Sequence, residues 1–215
     1  MKKTNQILQM LVHSPILWGA LTSAAFYGGL QSWKPEGPLG RFFEDYFLAH
    51  PINYASTVMF FVGLSALGIK ALVLGWQQQD LGQPVFGQLS HPLEPISGSQ
   101  TLLAQIDAQQ DRRDSWLVRR VQGALEHVHR RGTADGLLEE LKYLSEVDTA
   151  RVEAGYALLR VVIWAIPILG FLGTVLGITM AVAKLQPEAL EKSLHDVVAG
   201  LSVAFNTTAQ ALGLT

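Results

Sequence analysis

Residues 161–183 read VVIWAIPILGFLGTVLGITMAVA, a run with no Asp, Glu, Lys or Arg. About 20 mainly apolar helical residues cross the roughly 30 Å hydrocarbon layer of a bilayer. A buried helix of a soluble protein normally keeps a polar face, and this run has none. Three other stretches lack those four residue types: Thr4–Trp33, Tyr46–Ile69 and Val197–Thr215. The first reaches spanning length once its polar start is trimmed to about His13–Leu30. The last stops where the chain stops, with no basic residue after it, which points to a chain continuing past Thr215. The sequence thus predicts an all-α membrane protein with four transmembrane helices. Long helices between the second and third are expected to extend into a cytoplasmic domain. The divisions are an N-terminal transmembrane hairpin over 1–76, a cytoplasmic helical segment over 77–154 and a second transmembrane hairpin over 155–215.

Composition agrees with this class. Of 215 residues, 49% are hydrophobic and 16% charged, against about a quarter charged in soluble domains. A net charge of −2 gives nucleic acid no basic surface. The chain has no cysteine, which excludes disulfides, zinc–thiolate sites, iron–sulfur clusters and a Cys nucleophile. No Ser/His pair, HExxH or paired Asp lies in a predicted crossing, so an intramembrane enzyme is not expected, nor is a cofactor or metal.

Basic residues set the expected orientation. Arg112, Arg113, Arg119, Arg120, Arg130, Arg131, Lys142 and Arg151 crowd the polar segment. The loops after the first and third spans hold chiefly Lys34, Arg41, Lys184 and Lys192. Basic loops stay in the cytoplasm. Lys2 and Lys3 then place the N-terminus there too, as two crossings require. A signal peptide cleaved near Ala24-Ala25 is the competing reading, and it would leave an odd number of crossings. Lys70, close to the expected end of the second span, reads as a snorkelling lysine. Trp33, Trp76 and Trp164 suit membrane borders, and His13 and His50 read as interfacial.

Pro84–Ser99, rich in Gly, Pro and Ser, predicts an irregular connection. A helical pattern follows from about Gln100, with Leu103, Ile106, Trp116, Val118, Val121, Leu125 and Val128 at mostly three- and four-residue steps. Arg131–Gly136 breaks it. A second helix from near Leu137 carries Leu138, Leu141, Leu144 and Val147 and can run on into the third crossing. The arginines are expected to pair with Asp111, Asp114 and Glu126 on solvated faces, contact with anionic lipid being the alternative. His127 and His129, two apart, point to different faces and do not suggest a metal site.

The last two spans are distinguished by small residues. Gly170, Thr174, Gly177 and Ala181 share one helical face, as do Gly200, Ala204, Thr208, Ala211 and Thr215. Such faces let membrane helices approach closely. Close packing alone is one reading. Thr174 and Thr208, with Thr207, Asn206 and Gln210 nearby, also offer a second: a narrow polar path at membrane depth. Asn206 and Gln210 could favour ion coordination over bare proton transfer. Ser193 and Asp196 read as a capping box opening the fourth helix, with a proton entry site at His195 and Asp196 as the alternative.

Pro167 through Ile178, as P-x-x-G-x-L-G-T-V-x-G-I, resembles the pore-helix signature of the MotA/TolQ/ExbB proton-channel family. Gly200 through Ala209 resembles its second motif, G-[IL]-[AS]-x-A-x-x-x-T-A. The likeness covers about residues 155–215 and implies that this hairpin forms a pore in the bacterial inner membrane. It further implies a homopentamer around a dimer of a single-span partner, like ExbD, TolR or MotB, whose helix carries an Asp. Ion flow, taken to be of protons, would drive a motor. By position, Thr174, Thr208, Thr207 and Asn206 would line the pore. Pro167, Gly170, Gly173, Gly177, Gly200 and Ala204 would shape the helix packing. Val203 stands where TolQ- and ExbB-type relatives carry a Glu. The alternative is a non-conducting scaffold or assembly subunit built on the same packing. Neither span has an ionisable side chain, so a proton relay would need its acid from another chain.

Overall fold

A computed structural model describes residues 14–33, 37–86, 96–108, 112, 115–183 and 190–215. These residues are helical apart from short turns and connections. In order they form α1 (Pro15–Trp33), α2 (Pro38–Phe43), a π-helical turn (Glu44–Leu48) and α3 (Pro51–Leu81). A short 3₁₀ turn (Ile96–Gly98), α4 (Ser99–Ala108) and α5 (Trp116–Arg131) follow, then α6 (Leu137–Gly155), α7 (Ala157–Ala183) and α8 (Leu190–Gly213). Two of these helical segments, Pro51–Gln79 and Leu137–Ala183, are long and apolar enough to cross a membrane. The chain divides into two compact units, residues 1–69 with 157–215 and residues 70–156.

The first unit holds α1, most of α3, and α7 with α8. Its closest approaches occur where a side chain is missing. A Cβ on Gly19 of α1 would lie 2.5 Å from the Val62 Cα of α3. Val162, Ile166 and Ala211 form a small buried cluster, with Met59, Phe60, Leu158 and Leu214 against it. The opposite side of α7 exposes Ile163, Trp164, Phe171, Val175, Ile178 and Val182. A contiguous apolar surface of this kind on a soluble monomer would be exceptional.

The second span starts later than its charge-free run. Tyr46 lies in the π turn, and α3 begins at Pro51, because a residue preceding proline is driven out of the helical region. His50, read as interfacial, caps this start: its Nδ1 accepts the Ile52 N–H at 3.3 Å. Lys70 also departs from expectation. The helix continues to Leu81, so Lys70 is not near its end.

In the second unit Lys70 Nζ lies 4.3 Å from the centre of the Tyr156 ring. Gly155 leaves room for it, since a Cβ there would approach Nζ to 2.5 Å. The expected helix over 100–128 is two, α4 and α5, with Ser115 extended at the start of α5. The Trp116 N–H there is capped by Gln77 Oε1 at 3.0 Å. Gly132 and Gly136 take left-handed φ of 67° and 74° and turn the chain between α5 and α6, as the sequence predicted. Arg120 pairs with Asp148 of α6 at 2.8 Å, and Arg112 donates to the Pro84 carbonyl at 2.9 Å. At Glu126 it is the backbone carbonyl that accepts from an arginine, Arg130 Nε at 3.4 Å; Asp111 and Asp114 lie outside the described residues, as do His13, Lys2, Lys3, Lys34 and Lys184. His127, buried, meets Glu140 through Nδ1 at 3.2 Å, and His129 meets Ser99 at 3.2 Å.

Leu190 is already helical, which places the Ser193 backbone inside α8 and not at its start.

Candidate functional site

The α7–α8 pair is held together by backbone approaching backbone. A Cβ on Gly177 would lie 2.6 Å from the Ala204 N and 2.7 Å from the Gly200 O. One on Gly200 would lie 2.8 Å from the Ala181 N. At Gly170 the added atom would be 2.5 Å from the Ala211 Cβ, and at Gly173 it would occupy the space of the Thr207 hydroxyl. Pro167 lies inside α7 and removes one helical N–H donor. Ala204 is 2% exposed. The glycines and Ala204 singled out from the sequence therefore lie at this helix contact, with Pro167 on the same helix.

The phase of the two faces differs by one residue from the reading above. In α7 the buried line runs through Val162, Ile166, Gly170, Gly173, Gly177 and Ala181, and Thr174 sits at its edge, half-buried. In α8 Gly200, Ala204, Thr207 and Ala211 are buried, while Thr208 is half-buried and Thr215 exposed. Thr207, 1% exposed, fills the notch that Gly173 leaves.

Every one of these hydroxyls already gives its proton to a backbone carbonyl. Thr174 Oγ1 donates to the Phe171 O at 2.6 Å, and Thr207 Oγ1 to the Val203 O at 2.9 Å. Both bonds stay within one helix. Thr208 differs: its Oγ1 donates across the pair to the Gly170 O at 3.1 Å. A hydroxyl has one proton and two lone pairs, so Thr174 and Thr208 can accept a hydrogen bond as they stand. To donate to an anion they must first rotate away from their carbonyls. Asn206, half-buried, donates from Nδ2 to the Ser202 Oγ at 3.4 Å.

Gln210 is not part of this surface. It is 5% exposed and turns toward α3, where Nε2 donates to the Asn53 O at 3.2 Å and the Thr57 Oγ1 at 2.9 Å. The polar group it joins, Asn53, Ser56 and Thr57, went unnoticed in the sequence. Its signal was present: three polar residues at i, i+3 and i+4 within an otherwise apolar run.

Residues 110–215 match the family described as the MotA/TolQ/ExbB proton channel family. That match begins well before the motifs and takes in α5 and α6 of the second unit. No curated protein and no solved structure matches the chain.

Proposed function

From the match of residues 110–215 to the MotA/TolQ/ExbB proton channel family, we propose that the chain is a channel subunit of an ion-driven motor. In this reading it crosses the inner membrane four times, through α1, α3, α7 and α8, with its N-terminus in the cytoplasm. Five copies surround a dimer of a single-span partner whose membrane Asp carries the proton. Thr174, Thr208 and Asn206 present hydroxyl and amide groups to that carboxyl, while Thr207 supports them from beneath by filling the Gly173 notch.

One observation carries the reading. Across Val161–Ala183 and Val197–Thr215 there is no ionisable side chain, yet hydroxyls recur along the two helices. A relay needs a group that takes and releases a proton at membrane depth. This chain lacks one there, so a partner must bring it. The hydroxyl geometry suits a carboxyl that alternates between two states. When protonated, the acid donates to the lone pairs of Thr174 or Thr208. When ionised, it draws the same hydroxyl away from its carbonyl and accepts its proton. Desolvation raises the carboxyl pKa and the hydroxyl donors lower it, which favours reversible protonation.

The test is proton flux into vesicles holding this chain and its single-span partner. Thr174→Val and Thr208→Val are expected to leave assembly intact and to lower flux. Undiminished flux in both variants would remove the threonines from the path. An intact complex that passes no protons at all would favour the scaffold reading. Full conduction by this chain alone would refute the division of labour between two chains.

A further inference from the structure

Behind the pore-side face, α3 and α8 enclose a polar site with a defined hydrogen-bond deficit. Asn53 and Ser56 are 0% exposed, Thr57 1% and Gln210 5%. Three donor groups among them are already engaged. Asn53 Nδ2 donates to the Tyr46 O at 2.9 Å, and Thr57 Oγ1 to the Asn53 O at 2.7 Å. Gln210 Nε2 donates to that same carbonyl and to the Thr57 hydroxyl oxygen. Each acceptor is a carbonyl, or a hydroxyl whose own proton is already engaged. Neither amide can therefore be turned over without setting two oxygens against each other, and both orientations are fixed.

Three buried atoms of this site have no hydrogen-bond partner among the described residues: Asn53 Oδ1, Gln210 Oε1 and Ser56 Oγ. Two of them can only accept, and the third brings a proton. Ser56 could have bonded back to its own helix, as Thr57 does, but it makes no such bond. The missing complement is a molecule with two protons to give and a lone pair to receive one. Water fits that description. A monovalent cation would meet three neutral oxygens, which offset poorly the cost of stripping a full charge of its hydration.

We propose that Asn53, Ser56 and Gln210 hold one buried water molecule between α3 and α8. It donates to the two amide oxygens and accepts the Ser56 proton. The bound water makes Gln210 a positioning residue. One turn before it, Thr207 and Thr208 face α7, so clamping Gln210 to α3 fixes the rotation of α8 that aims them. The site stands whether or not the pore conducts.

Solid-state NMR on the assembled protein in lipid bilayers, with ¹⁵N-labelled side-chain amides, tests this directly. In the wild type, magnetisation from water should reach the amides of both Asn53 and Gln210 at short mixing times. Ser56→Ala removes a hydroxyl that has no other partner, and it should cut both transfers at least about two-fold while the direct bonds persist. Absence of transfer to either amide in the wild type would overturn the proposal, and so would equal transfer in Ser56→Ala. Movement of the two amide resonances when sodium is exchanged for choline would show a cation in place of water. If Ser56→Ala fails to fold, the wild-type transfers and the sodium exchange still decide the matter.

Discussion

Two glycines of α7 face α8 across different obstacles, and deleting the side chain opposite each should reveal the difference. In Gly177→Ala the new Cβ meets the Ala204 N at 2.6 Å and the Gly200 O at 2.7 Å. Ordinary carbon contacts lie at about 3.5–4.0 Å, so the shortfall is about 1 Å. Both obstructing atoms belong to the backbone and cannot rotate aside. The helices must part, and a gap of 0.5–1 Å already forfeits about a quarter to a half of each neighbouring dispersion contact. A loss of about 3 kcal/mol is expected, at the upper end for overpacking. In Gly173→Ala the obstacle is a side chain, Thr207, whose Cβ would be 2.5 Å away. That obstacle can be deleted. Gly173→Ala with Thr207→Gly takes away the whole obstructing side chain, and should recover about 1–2 kcal/mol relative to the sum of the single changes. Gly177→Ala with Ala204→Gly should recover almost nothing, because the Ala204 N and Gly200 O stay where they were. Unfolding free energies in mixed micelles give both cycles. If Ala204→Gly rescued Gly177→Ala as fully as Thr207→Gly rescued Gly173→Ala, the backbone contact inferred for this pair would be wrong.

Thr208→Val removes the hydroxyl bond from α8 to the Gly170 O of α7 and should cost about 0.5–1.5 kcal/mol in the same assay. Thr174→Val, which breaks a bond within one turn, should cost clearly less. Gly132 has open space around its Cβ position and a φ of 67°. Gly132→Ala should therefore lose about 1–2 kcal/mol from backbone conformation alone, and Gly132→Asn noticeably less, in urea melts followed by circular dichroism. Tyr156→Leu takes the ring from beneath Lys70 and should destabilise the protein by about 0.5–1 kcal/mol. Lys70→Met in the Tyr156→Leu background should then add little, and a double-mutant cycle measures the coupling.

Two of the four charge-free runs were legible as helices long and apolar enough to span, in α3 and α7, because lack of charge over twenty residues has few meanings. The glycine contacts were legible for a related reason: only packing explains Gly170, Gly173 and Gly177 within one apolar helix. Phase was harder. At about 100° per residue, Thr207 lies about 20° from the direction of Gly200, and Thr208 about 80° from it. The stripe drawn in steps of four had therefore drifted off the contact. In α7 periodicity alone would have preferred Thr174. Gly173 took the contact because Thr207 needed a notch, and a notch depends on what the opposite helix carries. The break between α4 and α5 and the π turn ahead of α3 gave no comparable signal, since both follow from local competition that apolar spacing does not report. Gln210 was noticed but read toward the pore, because its partners lie 153 and 157 positions earlier in the chain.

These contacts bear on what kind of moving part the chain can supply. On one side α8 presses its backbone into glycines of α7, and on another it gives a buried amide to α3. Rotating α8 would drive Ala204 or Thr207 into space that only a glycine leaves free, and would strand the Gln210 donor among apolar side chains. Each of those losses is of the order of a kcal/mol or more, and they come together. A helix held on two sides in this way is suited to stay fixed while something else moves. On the proposed reading the titrating acid belongs to the partner, so the movement that accompanies protonation belongs to the partner as well. The threonine hydroxyls then need only a rotation about χ1 to serve both charge states. That pairing of a rigid scaffold with small rotatable donors is why loss of a hydroxyl should affect flux, whereas loss of a glycine should affect assembly first.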